Sequence, residues 1–299
     1  MSGSSLAKPA AFLEDALRKA RSDPALRVLE LEPVAGGCIH QTARVRTTRG
    51  SWFAKWNHEC APDLFLSEAQ ALGALREAES GLAIPEVLLA LGPAEARPAC
   101  IVMEYLEPKP SAAGDEAALG RGLAAIHARP REAFGFPVTT YCGPTPQDNR
   151  ASSSWVEFYA ERRLRPLSRR LEEQARIGRE ERRLLDRVSE RLGSLLAHET
   201  RPALIHGDLW AGNVLGTTRG PALVDPASAA CDREMEFGIT TLFGGFSERF
   251  FSAYDEALPL GPGWRERNPL YQLYHLLNHH LIFGGHYGAS ALAIARRFA

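Results

Sequence analysis

Along the first hundred positions apolar and polar residues fall in short alternating runs, the period of β-strands. Val28 to Val34 predicts one strand, followed by a turn at Gly36-Gly37. His40 to Thr48 predicts a second, and Arg49-Gly50 makes a tight turn into a third, Ser51 to Asn57. The period then changes. Leu64, Leu66, Ala69, Leu72 and Leu75 recur at helical spacing, predicting a helix that ends near Gly81. Glu86 to Leu91 and Ala99 to Tyr105 return to strand texture, joined by a loop holding Gly92, Pro93 and Pro98. This order predicts a small antiparallel sheet with one helix inserted after its third strand.

From Asp115 the texture is helical. Asp115 to Ala128, Trp155 to Leu171 and Glu180 to His198 predict amphipathic helices, with a long loop from Pro130 to Ser154. Two short apolar segments, Ala203 to Ile205 and Ala222 to Val224, read as buried strands, and the remainder to Ala299 is helical with glycine and proline breaks. A β-rich first part and a helical second part, with a boundary near Pro108 to Gly114, predict an α+β protein of two lobes facing a cleft. The lobes are 1–107 and 108–299.

The 299 residues suffice for two packed lobes, and 45% hydrophobic with 24% charged residues is an ordinary globular balance. Lysine plus arginine (35) nearly cancels aspartate plus glutamate (36), and no long basic run marks a nucleic-acid or anionic-membrane partner. The arginine-dense stretch from Arg162 to Arg191 alternates with glutamates, as a solvated helix face does. No apolar run is long enough to span a bilayer. Met1 to Ala20 carries Glu14, Asp15, Arg18 and Lys19 where a signal peptide needs an apolar stretch. Five scattered cysteines without a C-x-x-C imply free thiols in a reducing compartment, so a cytoplasmic protein is expected.

The sharpest chemical signal is His206-Gly207-Asp208-Leu209-Trp210-Ala211-Gly212-Asn213. Phosphoryl transfer to a hydroxyl needs the acceptor oxygen held in line with the γ-phosphate, and cations to absorb phosphate charge. Asp208 can orient and deprotonate the hydroxyl, and Asn213 can offer a hard oxygen to Mg²⁺. Their separation is the Asp-x-x-x-x-Asn spacing of a kinase catalytic loop. Asp225 closes the apolar run Ala222-Leu223-Val224 and is placed as the second metal ligand. Read singly, each of these is an ordinary turn or strand exit; their order and flanking apolar segments favour the kinase reading.

The β-rich lobe is then expected to hold ATP. Lys55 lies among apolar strand neighbours, where an ammonium is costly to bury without a partner, and Glu68 on the following helix can supply one. Gly36 and Gly37 allow backbone amides close to phosphate. Met103-Glu104-Tyr105-Leu106 forms an extended connector able to present backbone groups to adenine. No G-x-x-x-x-G-K-[ST] loop is present, which disfavours a P-loop enzyme.

With these residues the chain resembles the fructosamine kinase (ketosamine 3-kinase) family, related to the aminoglycoside and choline phosphotransferases. The likeness runs from about Val34 to Tyr287. It includes Gly36-Gly37-Cys38-Ile39-His40, Phe53-Ala54-Lys55-Trp56-Asn57, Trp155-Val156-Glu157-Phe158-Tyr159 and Glu161-Arg162-Arg163-Leu164. It continues through the catalytic loop with Trp210, Asp225-Pro226-Ala227, Asp232-Arg233-Glu234 and Leu276-Leu277-Asn278-His279. The resemblance implies a bilobal protein-kinase-like fold and ATP- and Mg²⁺-dependent phosphorylation of a sugar attached to an amine, at its third carbon. The phosphorylated adduct would then decompose and free the amine. In this reading Asp208 is the base, Asn213 and Asp225 hold Mg²⁺, Lys55 with Glu68 fixes the phosphates, and Trp210 with Asp232, Arg233 and Glu234 are candidate substrate contacts. The substrate is expected to be a small sugar-amine or a glycated lysine, with no nucleic-acid or membrane partner.

Two positions depart from the family pattern: Cys231, where a glycine- or tyrosine-like residue is expected, and Glu236, where an aspartate is expected. Both bear on the substrate side. His275 and His279 have the spacing of a two-histidine metal site, but lack the glutamate of H-E-x-x-H, and the sequence offers no third ligand; helix packing explains them. Cys38, in a glycine turn over phosphates, is a candidate redox switch, acting through a disulfide between two copies of a chain that is otherwise monomeric. Two functional alternatives stand beside the ketosamine kinase: a related phosphotransferase acting on an aminoglycoside or choline-type alcohol, and a catalytically silent nucleotide-binding protein.

Overall fold

A computed structural model describes residues 7–34, 40–95, 97–110 and 114–299. Gly36, Gly37 and Cys38, the expected phosphate-covering turn and redox switch, lie outside the described residues.

The N-terminal half is built on a five-stranded antiparallel sheet. Helix α1 (Ala7–Arg21) precedes strands β1 (Val28–Pro33), β2 (Gln41–Thr47) and β3 (Gly50–Asn57); helix α2 (Leu64–Arg76) then leads to β4 (Val87–Leu91) and β5 (Ala99–Glu104). The strand order is β1-β2-β3-β5-β4, which puts β3 at the centre. Side chains alternate across the sheet with the two-residue period of a strand. Cys100 and Val102 of β5 and Ala54 and Trp56 of β3 pack with Leu13 and Leu17 of α1. Ala99, Ile101 and Met103 face the other way, onto Leu64, Phe65, Leu72 and Leu75 of α2. The inserted helix after the third strand is therefore α2, and α1 covers the opposite face. Lys55 pairs in register with Thr42 and Ile101, so it shares the α2 face of the central strand.

The chain leaves the sheet at Glu104 and enters α3 (Asp115–Ala128). Next comes a short hairpin, β6 (Thr140–Cys142) with β7 (Thr145–Gln147), inside the segment read as a long loop. Three-residue strands turning at Gly143 are too short to show a period. The helix expected over Trp155 to Leu171 is interrupted: α4 (Trp155–Tyr159) passes through a π turn at Ala160–Leu164 into α5 (Arg165–Glu173). That turn aims the buried Arg163 at the Asp148 carbonyl (2.8 Å) and Asn149 Oδ1 (2.6 Å). Helix α6 (Arg179–Leu195) begins where the Glu181 carboxylate accepts from the Gly178 N–H at 2.8 Å.

Two small strand pairs follow. β8 (Ala203–Ile205) pairs antiparallel with β11 (Ala229–Cys231), and β9 (Val214–Thr217) with β10 (Gly220–Leu223). Helices α7 (Glu236–Phe243), α8 (Glu248–Ala257), α9 (Trp264–Phe283) and α10 (Tyr287–Phe298) complete the fold. α3 and α8 come unusually close: a Cβ on Gly120 would lie 2.3 Å from the Phe250 carbonyl, so only glycine fits. No helix among the described residues is long and apolar enough to cross a membrane.

Candidate active site

The strand pairing explains how distant residues meet. The loop 206–213 connects β8 to β9, and the loop 224–228 connects β10 to β11. Because Ile205 pairs with Ala229 and Val214 with Leu223, both loops emerge at the same end. Two backbone bonds tie them together: Val224 N–H to Asn213 O at 3.1 Å, and Ala227 N–H to His206 O at 2.9 Å. Gly207 has φ +82°, and a Cβ there would sit 2.4 Å from the Ala227 carbonyl, so the crossing requires glycine. Asp225 also has positive φ, +57°, an uncommon conformation for a non-glycine residue and one that clusters at functional sites.

Each polar group of the loop is fixed. His206, fully buried, donates from Nε2 to the Val224 carbonyl at 2.9 Å, and its Nδ1 accepts from the Asp208 N–H at 3.3 Å. Burial pushes the imidazole below its ordinary range and keeps it neutral, against the pull of Glu236 and Asp225. Asn213 Nδ2 donates to the Asp208 carbonyl (2.8 Å) and to its Oδ2 (3.0 Å), leaving the amide oxygen as the group able to face a cation. Burial raises the Asp208 carboxyl to about 7; Asn213 opposes the rise, and the charges of Asp225 and Glu236 add to it.

Lys55 reaches this loop from the sheet. Its Nζ lies 2.7 Å from Glu68 Oε1 and also donates to Asp225 Oδ1. Burial disfavours the ammonium, but Asp225 and Glu68 outweigh it and lift the lysine above its usual range. Burial would likewise raise Asp225, yet the adjacent ammonium holds that carboxyl below its ordinary value. The triad spans the two halves of the molecule. Tyr141 of the β6–β7 hairpin adds a second bridge, donating at 2.5 Å to Asp63, the residue before α2.

A cleft of about 420 Å³ opens over these groups, with Lys55, Glu68, Asp208, Asn213 and Asp225 on its polar side. The facing wall is aromatic: Phe243, Phe283 and Tyr287 surround His279, and Trp210 (42% exposed) also lines the cleft. His279 Nδ1 donates to the His275 carbonyl at 2.8 Å, and burial keeps the ring neutral, so its Nε2 carries the lone pair. The site thus has one flank for highly charged oxygens and another for a ring with hydroxyls.

The fructosamine kinase family model matches residues 13–298. The chain belongs to the fructosamine kinase family. It is 35% identical over 294 residues to a chloroplastic protein-ribulosamine 3-kinase of Oryza sativa subsp. indica, covering 95% of this chain and 84% of the relative. A candidate fructosamine-3-kinase from Thermobifida fusca superposes with a TM-score of 0.82 at 33% identity, over 93% of this chain and 96% of that one. A thermostable aminoglycoside phosphotransferase APH(4)-Ia, in ternary complex with AMP-PNP and hygromycin B, shares the fold: TM-score 0.65 at 17% identity, over 97% and 99% of the two chains. The bilobal, protein-kinase-like α+β architecture follows from these likenesses.

In this kinase the connector lies where the two halves join. Met103 is buried on the α2 face of the sheet, and Glu104 accepts from Arg219 Nη2 at 3.0 Å. The interstrand ladder stops at Glu104, and pairing resumes where Thr218 N–H meets the Glu107 carbonyl, so the Tyr105-Leu106 peptide lies between the two ladders. Arg44 stacks 4.3 Å over the Tyr105 ring, and Leu106 packs with Ala83 and Ala222.

Asp232, Arg233 and Glu234, expected as substrate contacts, are placed elsewhere. They do not line the cleft; their charges are consumed inside the C-terminal half. Asp232 accepts from Tyr271 Oη (2.5 Å) and pairs with His198 (2.7 Å), and Glu234 is held bidentately by Arg267 (2.6 and 2.9 Å). Arg233 caps the carbonyls of Leu258 and Pro259. The departures at Cys231 and Glu236 also lie off the substrate side. Cys231 is buried in β11, and Glu236, fully buried, accepts from the N–H groups of His206 (2.5 Å) and Gly207 (2.9 Å). The sequence reading set Glu236 on the substrate side and missed that it fixes the catalytic loop, and it gave no role to Tyr141. A glutamate followed by Phe237-Gly238-Ile239 on a buried helix was the available signal, since such a carboxylate needs donors.

Proposed function

We propose that this chain is an ATP- and Mg²⁺-dependent kinase that transfers the γ-phosphoryl group to a hydroxyl, O3, of a ketosamine, after which the adduct decomposes and the amine is released. The observation that carries the proposal is the Lys55 ammonium lying between Glu68 and Asp225, across a cleft that also holds Asp208 and Asn213. Residues 1–107 would form the nucleotide-binding lobe and 108–299 the catalytic and substrate lobe.

The donor set fits Mg²⁺, a hard cation that takes oxygen ligands: Asn213, with a free amide oxygen, and the Asp225 carboxylate line the same cleft, on loops joined by backbone hydrogen bonds. A bound Mg²⁺ would neutralise charge on the β- and γ-phosphates. Lys55 contributes the second positive charge to the phosphates, kept in place by Glu68. The connector Met103–Leu106 offers backbone groups to adenine. Asp208 orients the acceptor hydroxyl and takes its proton; a carboxyl poised near 7 suits a base working at neutral pH. Trp210, Phe243 and Phe283 supply faces for the sugar and its amine substituent, and the neutral His279 supplies an acceptor for a hydroxyl. The free thiols Cys60, Cys100, Cys142 and Cys231 suit the reducing cytoplasm.

The test is ADP release with a panel of ribulosamines, erythrulosamines and fructosamines, on free lysine and on protein. We expect turnover with at least one, and a loss of about 10²–10⁴ in kcat on Asp208→Asn. Turnover confined to aminoglycosides or choline would move the acceptor assignment to the related phosphotransferases. An Asp208→Asn variant as active as the parent would overturn the mechanism.

A further inference from the structure

We propose that Cys142, Asp208 and His275 form a second cation site, for Zn²⁺ and ions of its class, whose filling silences the enzyme by occupying the carboxylate of Asp208. The proposal rests on the reading of Asp208 as the base. The sequence offered no third ligand for a histidine metal site; the fold supplies two from other elements. The β6–β7 hairpin brings Cys142, the loop after β8 brings Asp208, and α9 brings His275. A sulfur, a carboxylate oxygen and an imidazole nitrogen of these residues lie within 4.8 Å of one another.

The donor types are those of a zinc site. Mixed sulfur, nitrogen and oxygen ligation suits a borderline-soft ion, whereas the Asn213–Asp225 pair is all oxygen and suits Mg²⁺. Tetrahedral zinc holds its ligand atoms about 3–4 Å apart. Side-chain rotations of about an ångström would therefore close the cluster. Cys142 (3% exposed) and His275 (1%) are buried, while Asp208 opens on the cleft, which provides both an entry path and room for a fourth ligand, water or the acceptor hydroxyl.

Two unsatisfied groups mark the place independently. His275 Nδ1 and Asn278 Oδ1 are buried and have no hydrogen-bond partner among the described residues. Asn278 sits against the same thiol residue, its Nδ2 donating to the Cys142 carbonyl at 3.1 Å. Buried polar atoms are ordinarily satisfied, and orphaned ones mark a place that some other group completes. Burial drives His275 down to about 3, with help from the charges of His279 and Arg163, so its ring is neutral and carries a lone pair at all working pH values. Burial also raises the Cys142 thiol, with Asp208 adding to the effect, so without a cation the sulfur stays protonated and is a poor nucleophile. When zinc binds, the thiol releases its proton to solvent as the sulfur–zinc bond forms. The carboxylate and imidazole each donate a lone pair, and no redox change occurs.

The test uses Co²⁺ as a spectroscopic probe and Zn²⁺ as the inhibitor, on the whole protein. One equivalent of Co²⁺ should give a thiolate-to-cobalt charge-transfer band that is missing in Cys142→Ser. With MgATP saturating, Zn²⁺ should inhibit in competition with the ketosamine. Its inhibition constant should rise about tenfold or more in Cys142→Ser and in His275→Gln. The proposal is overturned if the parent protein gives no thiolate band. It is also overturned if excess Mg²⁺ relieves zinc inhibition that is equally strong in both variants, since zinc would then be binding at Asn213 and Asp225. The cobalt band judges the site even if no ketosamine proves to be a substrate, so the two readings can fail separately.

Discussion

Glu236→Gln separates the work of positioning the catalytic loop from the work of catalysis. The Glu236 side chain is fully buried, and its two oxygens accept from the N–H groups of His206 and Gly207. A hydrogen bond to a charged group contributes about 1.5–3 kcal/mol. Glutamine has the same shape but keeps one acceptor; its NH₂ must point at the second N–H. The variant thus loses one charge-assisted bond and leaves a buried donor unpaired, at a cost of about 2–4 kcal/mol. Misplacement of the loop by about an ångström would lower kcat by about 10². Lys55 and Glu68 are held by the sheet and α2, away from this loop, so KM for ATP should change less than kcat.

A second readout distinguishes this role from general destabilisation. The Glu236 charge is one of the influences that hold the Asp208 carboxyl high, after burial and Asp225. Removing it lowers the Asp208 value, so the acid limb of kcat/KM against pH should move to lower pH even as the plateau falls. The assays are urea unfolding, read as a shifted midpoint at unchanged slope, and steady-state kinetics from pH 5 to 9. Unchanged stability together with an unmoved acid limb would refute the argument, because a carboxylate holding two buried amides near the base cannot be neutralised without trace.

Other perturbations follow from the same geometry. Lys55→Met should lower kcat/KM for ATP by about 10²–10³, as loss of a preorganised charge at a phosphate does; a drop under about tenfold would remove Lys55 from the phosphate site. Gly120→Ala pushes a methyl against the Phe250 carbonyl and should cost about 1–3 kcal/mol in urea unfolding, with kinetics unaltered at low temperature. His198 is raised by its hydrogen bond to Asp232, against burial, so its stabilisation is complete below about pH 6.5 and fades as pH rises through the elevated native value. His198→Gln should therefore flatten the dependence of Tm on pH above 6.5; an unchanged slope would place the linkage elsewhere.

Much of the fold was legible because it rests on local period. The strands 28–33 and 41–47 alternate, 50–57, 87–91 and 99–104 are short apolar-rich runs bounded by turn residues, and α3 begins at Asp115 and ends at Ala128 as its spacing predicts. What could not be read was short or depended on contact. The three-residue strands β6 and β7 are shorter than any period. The π turn at Ala160–Leu164 lets Arg163 reach Asp148 and Asn149, just after β7, a demand that no window of sequence contains.

The carboxylates make the same point about the site. Asp208, Asp225, Asp232, Glu234 and Glu236 are all acidic residues near the ends of short strands or helices, and only the spacing of the motif sets Asp208 and Asp225 apart in the sequence. Their surroundings differ in kind. Asp232 and Glu234 face a histidine, a tyrosine and an arginine that satisfy them completely, which leaves no charge to offer a ligand. Glu236 faces two backbone amides and is spent on holding them. Asp208 accepts from an asparagine amide, lies beside Cys142 and His275 and opens on the cleft, and Asp225 faces a lysine that a nucleotide's phosphates can share. A carboxylate does chemistry where its partners leave it incomplete, and that remainder is fixed by long-range contacts: Lys55 to Asp225 across 170 positions, and His206 to Glu236 across 30. The motif brings Asp208 and Asp225 to one cleft because its spacing encodes two loops tied together at His206–Ala227 and Asn213–Val224. The Asp232–Glu234 cluster has no such tie to the cleft, and proximity in sequence to Asp225 was no substitute for one.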